Sequence, residues 1–303
     1  MIGNPVPWPN GARCAAAFTF DMDADSLLHL SHPNDSYRLV ATTSELQYGP
    51  LVGVPRILDL YQRYDLKQTF YIPAWCIEQY PDTVDAIVKA GHEVGHHGYL
   101  HEHPNERPRD EEKYWLQRSI DVIERHTGQR PRGYRAPLYK FSENTLDLLL
   151  DEGFAYDASL MGDDDPYLIK SDKGDLVELP SYWGVDDWPP YVHMSDINFE
   201  MPIKAPSEAI TAFRDEFDAA WENNGLWVAI WHPFVTGRRA RLRAVEGLLK
   251  YMLEKGGVWI ASMEEIAAHV RAVTESGEYK PRVDVLPYYR EPIEMPVYPG
   301  AEK

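Results

Sequence analysis

The residues best suited to chemistry lie between Gly91 and His103, a run that holds five of the eleven histidines. Two carboxylates, Asp21 and Asp23, stand upstream at the end of an apolar run. His232 follows a second apolar run, in Trp231-His232-Pro233. Imidazoles and carboxylates bind divalent metals and move protons near neutral pH. Two metal patterns compete inside the histidine run. His92-Glu93-x-x-His96 matches the HExxH pattern of zinc peptidases, which needs a helix so that both rings share a face. Gly91 reads as a helix C-cap, and Gly95 and Gly98 would each cost a helix about 1 kcal/mol. Glu93-Val94-Gly95 reads better as a short strand, which parts His92 from His96. The second pattern is His97-x-x-x-His101. It follows that strand, where a new helical turn can begin and bring both rings to one ion. The plain alternative is a polar loop whose histidines bond to backbone.

The elements around these residues alternate. Cys14 to Phe20 is continuously apolar, as in a strand buried on both faces, and residues two apart beyond it can point at one site. A helix N-cap or a solvated loop is the competing account of Asp21 and Asp23. Strands are also expected at 68–72, 93–95, 132–135, 154–157, 176–179, 226–231 and 258–260. Helical spacing runs over 55–64, 80–90, 108–127, 206–223, 238–255 and 263–273, with Ser142 capping a further helix. Strand–helix alternation implies parallel strands with helices outside, and catalytic groups at several strand ends favour a barrel over an open sheet. Residues 24–53 are long, polar and weakly periodic, expected as a lid or an oligomer contact. The expected organisation is one domain over 1–276 and an extended Pro-rich tail over 277–303.

Composition narrows the classes. A chain of 303 residues can bury a substantial core. A net charge of −18 argues against nucleic acid and anionic membrane as partners. No apolar run reaches about 18 residues, the length of a membrane span. The first residues lack a charged and then apolar leader pattern, so a cytoplasmic location is expected. Cys14 and Cys76 sit in apolar surroundings and are expected as buried thiols.

In order and spacing, Asp21 and Asp23, His97-x-x-x-His101, Arg135-x-Pro137 and His232 resemble the polysaccharide deacetylase (NodB-homology, carbohydrate esterase family 4) proteins, from about Ala12 to Val273. They look most like the branch with peptidoglycan-deacetylase-like proteins and cyclic imide hydrolases. The resemblance implies a distorted (β/α)7-8 barrel. It implies Asp21 as base, Asp23, His97 and His101 as metal ligands, Arg135 holding the base, and His232 as general acid. Here Met22 separates the aspartates, which most relatives have adjacent. Leu138 stands where an aromatic is usual, leaving its backbone N–H as the group that can serve. A fourth motif, an acid and a Trp, is poorly defined; Trp183, Asp187 and Trp188 are the candidates. The implied ion is Zn2+, with Co2+, Ni2+ and Mn2+ as alternatives.

The expected activity is metal-dependent hydrolysis of a non-peptide C–N bond. A small cytoplasmic amide or cyclic imide is favoured, with N-acetyl sugars of peptidoglycan as the alternative. Leu138, Tyr139, Trp75, Trp183 and Trp188 are candidates to flank a ring, with core packing as their competing role. Metal-independent allantoinases rank lower, because all three ligand candidates are present. A two-His, one-carboxylate iron oxygenase matches the ligand count but leaves Asp21, Arg135 and His232 without a task. A barrel that binds without catalysing is disfavoured by the same intact set. A homo-oligomer, dimer or tetramer, is expected.

Overall fold

A computed structural model describes residues 4–294. Strands β1 (Cys14–Asp21), β2 (Thr69–Ile72), β3 (Glu93–His96), β4 (Gly133–Tyr134), β5 (Tyr156–Asp157), β6 (Tyr167–Ser171), β7 (Gly174–Glu178), β8 (His193–Met194), β9 (Phe199–Glu200), β10 (Leu226–Trp231), β11 (Val258–Ile260) and β12 (Val283–Val285) follow in chain order. The main sheet runs β10-β1-β2-β3-β4-β5-β7-β6-β12, with β11 also on β1. All its pairs are parallel except the β6–β7 hairpin. The expected barrel is not closed by its ladder among the described residues, which runs from β10 to β12. One isolated parallel bridge, Asp186 to Ile230, adds the segment after β7 to β10.

Every residue of β1 is buried, which explains its unbroken apolar run. Its Phe18 and Phe20 meet Tyr61, Trp227 and Trp231 in one aromatic cluster. The helices α1 (Ser26–Ser31), α2 (Val40–Tyr48), α3 (Val54–Arg63), α4 (Ala74–Gln79), α5 (Pro81–Lys89), α6 (Arg109–Thr127), α7 (Thr145–Asp151), α8 (Trp188–Tyr191), α9 (Pro206–Asn223), α10 (Pro233–Thr236), α11 (Arg239–Lys255) and α12 (Met263–Glu275) complete the fold. The long ones bury one stripe each: Ile57, Leu60 and Tyr61 of α3, Phe213 and Phe217 of α9, Leu248, Leu249 and Met252 of α11. Cys14 and Cys76 are free and buried.

Parallel register gathers the chemistry at one end. Asp21 pairs with Tyr71, Ile72 with His96, and His96 with Tyr134, while Phe20 pairs with Trp231. Asp23, His97, Arg135 and His232 thus leave the sheet at the same edge, as catalytic groups do in barrels.

Two elements differ from the sequence reading. Residues 24–53 are not a loop; they form α1, α2 and a π-helical turn over 49–53 that runs into α3. In α2 only Leu46 is buried, so no apolar stripe marks it. Residues 97–101 are not a helical turn: Gly98 has φ +75° and His101 φ +62°. The Pro-rich segment is extended at β12, which joins the sheet beside β6, and 295–303 lie outside the described residues. No helix among the described residues is long and apolar enough to cross a membrane.

Gly53 marks a close approach that matters for the site. A Cβ there would lie 2.2 Å from the Pro233 carbonyl oxygen, on α10, directly after His232. Alanine normally favours a helix over glycine by about 1 kcal/mol. Here the backbone collision outweighs that gain. Gly53→Ala is expected to lower stability by about 1–3 kcal/mol, read as a lower urea midpoint.

Candidate functional site

Asp21 ends β1, and Asp23 lies two residues on. The Asp23 carbonyl accepts from the Ser26 hydroxyl (2.6 Å) and the Cys76 thiol (3.0 Å), which fixes the turn into α1. His97 follows β3, and its Nδ1 donates to the Arg135 carbonyl at 2.7 Å. The loop to His101 is held by Glu102, whose carboxylate accepts the Tyr99 and Leu100 N–H groups at 2.9 and 2.7 Å. A tied loop, not a helix, thus brings His101 beside His97.

Asp23, His97 and His101 are buried, and one donor atom from each lies within 4.8 Å of the others. His97 Nε2 is 3.4 Å from Asp23 Oδ1, and His101 Nε2 is 3.6 Å from Asp23 Oδ2. With Nδ1 donating to Arg135, the His97 Nε2 faces the carboxylate; burial acts to lower this ring's pKa, but Asp21 and Asp23 outweigh it and raise it. Asp23 Oδ1 is buried with no hydrogen-bond partner. A carboxylate and two ring nitrogens that converge in a desolvated site can share one cation. The residues therefore suit a metal ion. Burial pushes His101 down to about 3, leaving its ring neutral and able to ligate. Burial acts to raise Asp23, but the imidazoles around it hold it below the usual carboxylate range.

Beside this triad, Arg135 Nη1 donates to Asp21 Oδ1 at 2.6 Å and to Thr19 Oγ1 at 2.8 Å. Its Nε donates to the Ala158 carbonyl at 3.1 Å. Asp21 Oδ2 is left facing His97 Nε2 at 3.8 Å. Across the site, His232 Nδ1 donates to Asp187 Oδ1 at 2.7 Å, and its Nε2 lies 3.5 Å from Asp23 Oδ2. Asp187 also accepts from the His232 N–H and the Thr236 hydroxyl. Burial acts to lower the His232 pKa, but Asp187 outweighs it and carries the ring up to about 10. Burial likewise pushes Asp186 up to about 7; this carboxyl bonds the Tyr139 hydroxyl at 2.5 Å.

Asp21, Asp23, His97, His101, Asp186 and His232 line a cavity of about 230 Å³. Leu138, Tyr139, Trp183 and Trp188 line its walls. Leu138 and Tyr139 are consecutive non-glycine residues in the left-handed region, φ +50° and +58°. Leu27 and Leu30 of α1 meet Ile197 and Phe199 of the β8–β9 hairpin above it. His32 Nε2 to the Asp196 carbonyl (2.5 Å) and Thr42 to the Asp196 carboxylate tie that roof together. Trp75 does not line the cavity; it packs edge-on against His29. His92 and His96 are not ligands of this site: His92 Nδ1 accepts the Gln68 N–H, and His96 sits between Gly98 N and the Leu116 carbonyl. The His232–Asp187 pairing and the roof residues were not read from sequence. The apolar run ending at His232 and the separate Asp186-Asp187-Trp188 run are the signals for the first; no local pattern marks the second.

The family described as polysaccharide deacetylase matches residues 40–156. A peptidoglycan deacetylase of Helicobacter pylori is 34% identical over 244 residues, 71% of this chain and 83% of that protein. A peptidoglycan deacetylase-like protein of Gibberella zeae is 28% identical over 240 residues, 68% of this chain and 71% of its own. A Mycobacterium smegmatis structure assigned to the polysaccharide deacetylases superposes with a TM-score of 0.87 at 38% identity, covering 98% of this chain and 99% of that one. An allantoinase structure shares the fold, with a TM-score of 0.78 at 23% identity, covering 90% of this chain and 95% of that one.

Proposed function

This chain belongs to the polysaccharide deacetylase family, hydrolases of C–N bonds other than peptide bonds, and from that premise we propose that it opens a small amide, a cyclic imide foremost, with the aid of a divalent metal. The observation that carries the choice of substrate is the small cavity with apolar walls. At about 230 Å³ it falls below the range of about 300–1,000 Å³ usual for drug-sized ligands. Apolar side chains of α1 and the β8–β9 hairpin narrow it on one side, where a glycan chain would need a long groove. One ring suits that space.

Asp23, His97 and His101 would hold the ion, Zn2+ foremost, since one carboxylate and two imidazoles leave further positions open. A divalent cation there supplies Lewis acidity, acidifying water and polarising an amide carbonyl. Asp21 is the base. Its Oδ1 is taken by Arg135, so Oδ2 receives the proton of the attacking water. The Leu138 N–H supports the charge that develops on the carbonyl oxygen. His232 Nε2 stands across the site from Asp21 and gives its proton to the departing nitrogen as the C–N bond breaks. Asp187 keeps that ring oriented. Tyr139, Trp183 and Trp188 offer ring faces and edges to the substrate.

A second reading, release of acetate from an N-acetyl sugar, is favoured by the names of the curated relatives. The iron-oxygenase reading is left without support by family membership. The test is a panel of succinimide, maleimide, hydantoin, allantoin and N-acetylglucosamine oligomers, using chelator-treated protein before and after zinc is restored. Imide ring opening that is lost with the metal and returns with it is the expected result. Acetate release from the sugars alone would replace the small-amide reading with the second one. Full imide hydrolysis by metal-free protein would overturn the metal requirement.

A further inference from the structure

Below the site, two tyrosines occupy the sheet's enclosed side. Tyr71 of β2 and Tyr156 of β5 are both fully buried. The Tyr156 hydroxyl donates to Glu93 Oε1 at 2.6 Å, and the Tyr71 hydroxyl donates to the Tyr156 oxygen at 3.0 Å. At the upper end, the Arg135 guanidinium lies 4.2 Å from the centre of the Tyr71 ring. Arg135 Nη2 has no hydrogen-bond partner, so that ring is its neighbour in place of an acceptor. At the lower end, Glu93 Oε2 accepts from Thr69 Oγ1 at 2.7 Å and from the Glu264 N–H at 3.0 Å, anchoring the column to β2 and to the first turn of α12.

Two glycines make the room. A Cβ on Gly95 would lie 2.6 Å from Tyr71 ring carbons, and one on Gly133 would lie 2.0 Å from Cζ of Tyr156. Apolar filling alone would be met by phenylalanine, which buries no hydroxyl. Here both hydroxyls are satisfied in one direction. Glu93 takes the Tyr156 proton, so the Tyr156 oxygen takes that of Tyr71. The Tyr71 proton therefore points away from Arg135, and its electron-rich face is left to the cation.

We propose that Tyr71 and Tyr156 are positioning residues of the hydrolytic reaction: the column Glu93–Tyr156–Tyr71 sets the plane of the Arg135 guanidinium and, through it, the carboxylate of Asp21. This rests on the reading of Asp21 as the base. The hydroxyl chain meets the reacting atoms through Arg135, and the Tyr71 ring also lies near the His97 ring, centroids 6.5 Å apart, so zinc content is read beside kcat.

The test uses zinc-loaded Tyr71→Phe, Tyr156→Phe, the double variant and Tyr71→Leu, assayed on whichever panel compound the wild-type protein hydrolyses. Each phenylalanine variant is expected to lose about tenfold in kcat, with KM and zinc content within about twofold. The double variant is expected to lose no more than either single one, because both break one chain. Wild-type kcat in both single variants, or a change confined to KM, would overturn the column. A crystal structure of Tyr71→Leu gives a readout that needs no substrate: the guanidinium is expected to leave Asp21 Oδ1, and retention of the 2.6 Å bond would overturn the proposal. If Tyr71→Leu does not fold, the volume-keeping phenylalanine variants carry the decision. Failure of the base reading is separate: it would show as an active Asp21→Asn protein, whatever the tyrosine variants do.

Discussion

Asparagine in place of Asp21 is expected to lower kcat about a thousandfold, within the range set by loss of a general base, while zinc content stays at the wild-type level. The substitution keeps shape and removes only the ability to accept a proton. The ligand triad of Asp23, His97 and His101 does not include Asp21, so the ion should remain. An amide oxygen can still accept from Arg135 Nη1, as Oδ1 does now at 2.6 Å. Arg135 is fully buried, however, and would face a neutral partner. Removing one member of a buried pair costs about 3–5 kcal/mol, so a lower melting temperature should accompany the lost activity. Three measurements separate the effects: kcat, metal stoichiometry and melting temperature. Turnover within about tenfold of wild type would place the base elsewhere. Loss of zinc along with activity would make Asp21 a ligand.

Why the placement of Asp21 was readable from sequence, and that of other residues was not, is a matter of how local the cause is. The apolar run before Asp21 and that before His232 are buried on all sides, so their composition alone marks them as central strands. Once they are parallel neighbours, register brings both ends together. The histidine loop was harder. Spacing of four suggested a helical turn, yet His101 adopts φ +62° because Glu102 and Gly98 shape a tied loop. A side chain in the left-handed region leaves no mark in the sequence. In 24–53, α1 is only six residues long and α2 buries only Leu46, so neither shows an amphipathic repeat and the stretch reads as polar loop. The β6–β7 hairpin turns through Ser171-Asp172-Lys173-Gly174, a turn-rich run inside an expected parallel array. Trp75 and Trp183 are the same residue type, and neither is marked by its spacing. Only the fold decides that one faces α1 and the other the cavity.

Asp187 shows the same limit and carries the second large effect. Its carboxylate reaches His232 because the segment after β7 bridges to Ile230, a contact between residues more than forty apart in sequence. The proposed acid must hold a proton on Nε2 when the nitrogen departs. A group that acts in its protonated form gives full kcat below its pKa, and activity falls as pH rises through it. Burial would bring that fall to low pH; the Asp187 charge and hydrogen bond reverse it and place the ring near 10. An ion on Asp23 offsets that carboxylate's smaller share, so the alkaline limb of the holoenzyme should lie below that value. Asp187→Asn removes the largest raising influence. Its alkaline limb is expected to move to lower pH, with the deficit widening as pH rises and narrowing as it falls. His232→Ala is expected to lose about a hundredfold or more at every pH and to lack the limb altogether, since no proton is left to titrate. The measurement is kcat against pH for the three proteins at saturating zinc. Profiles for wild type and Asp187→Asn that superpose would assign the limb, and the acid, to another group.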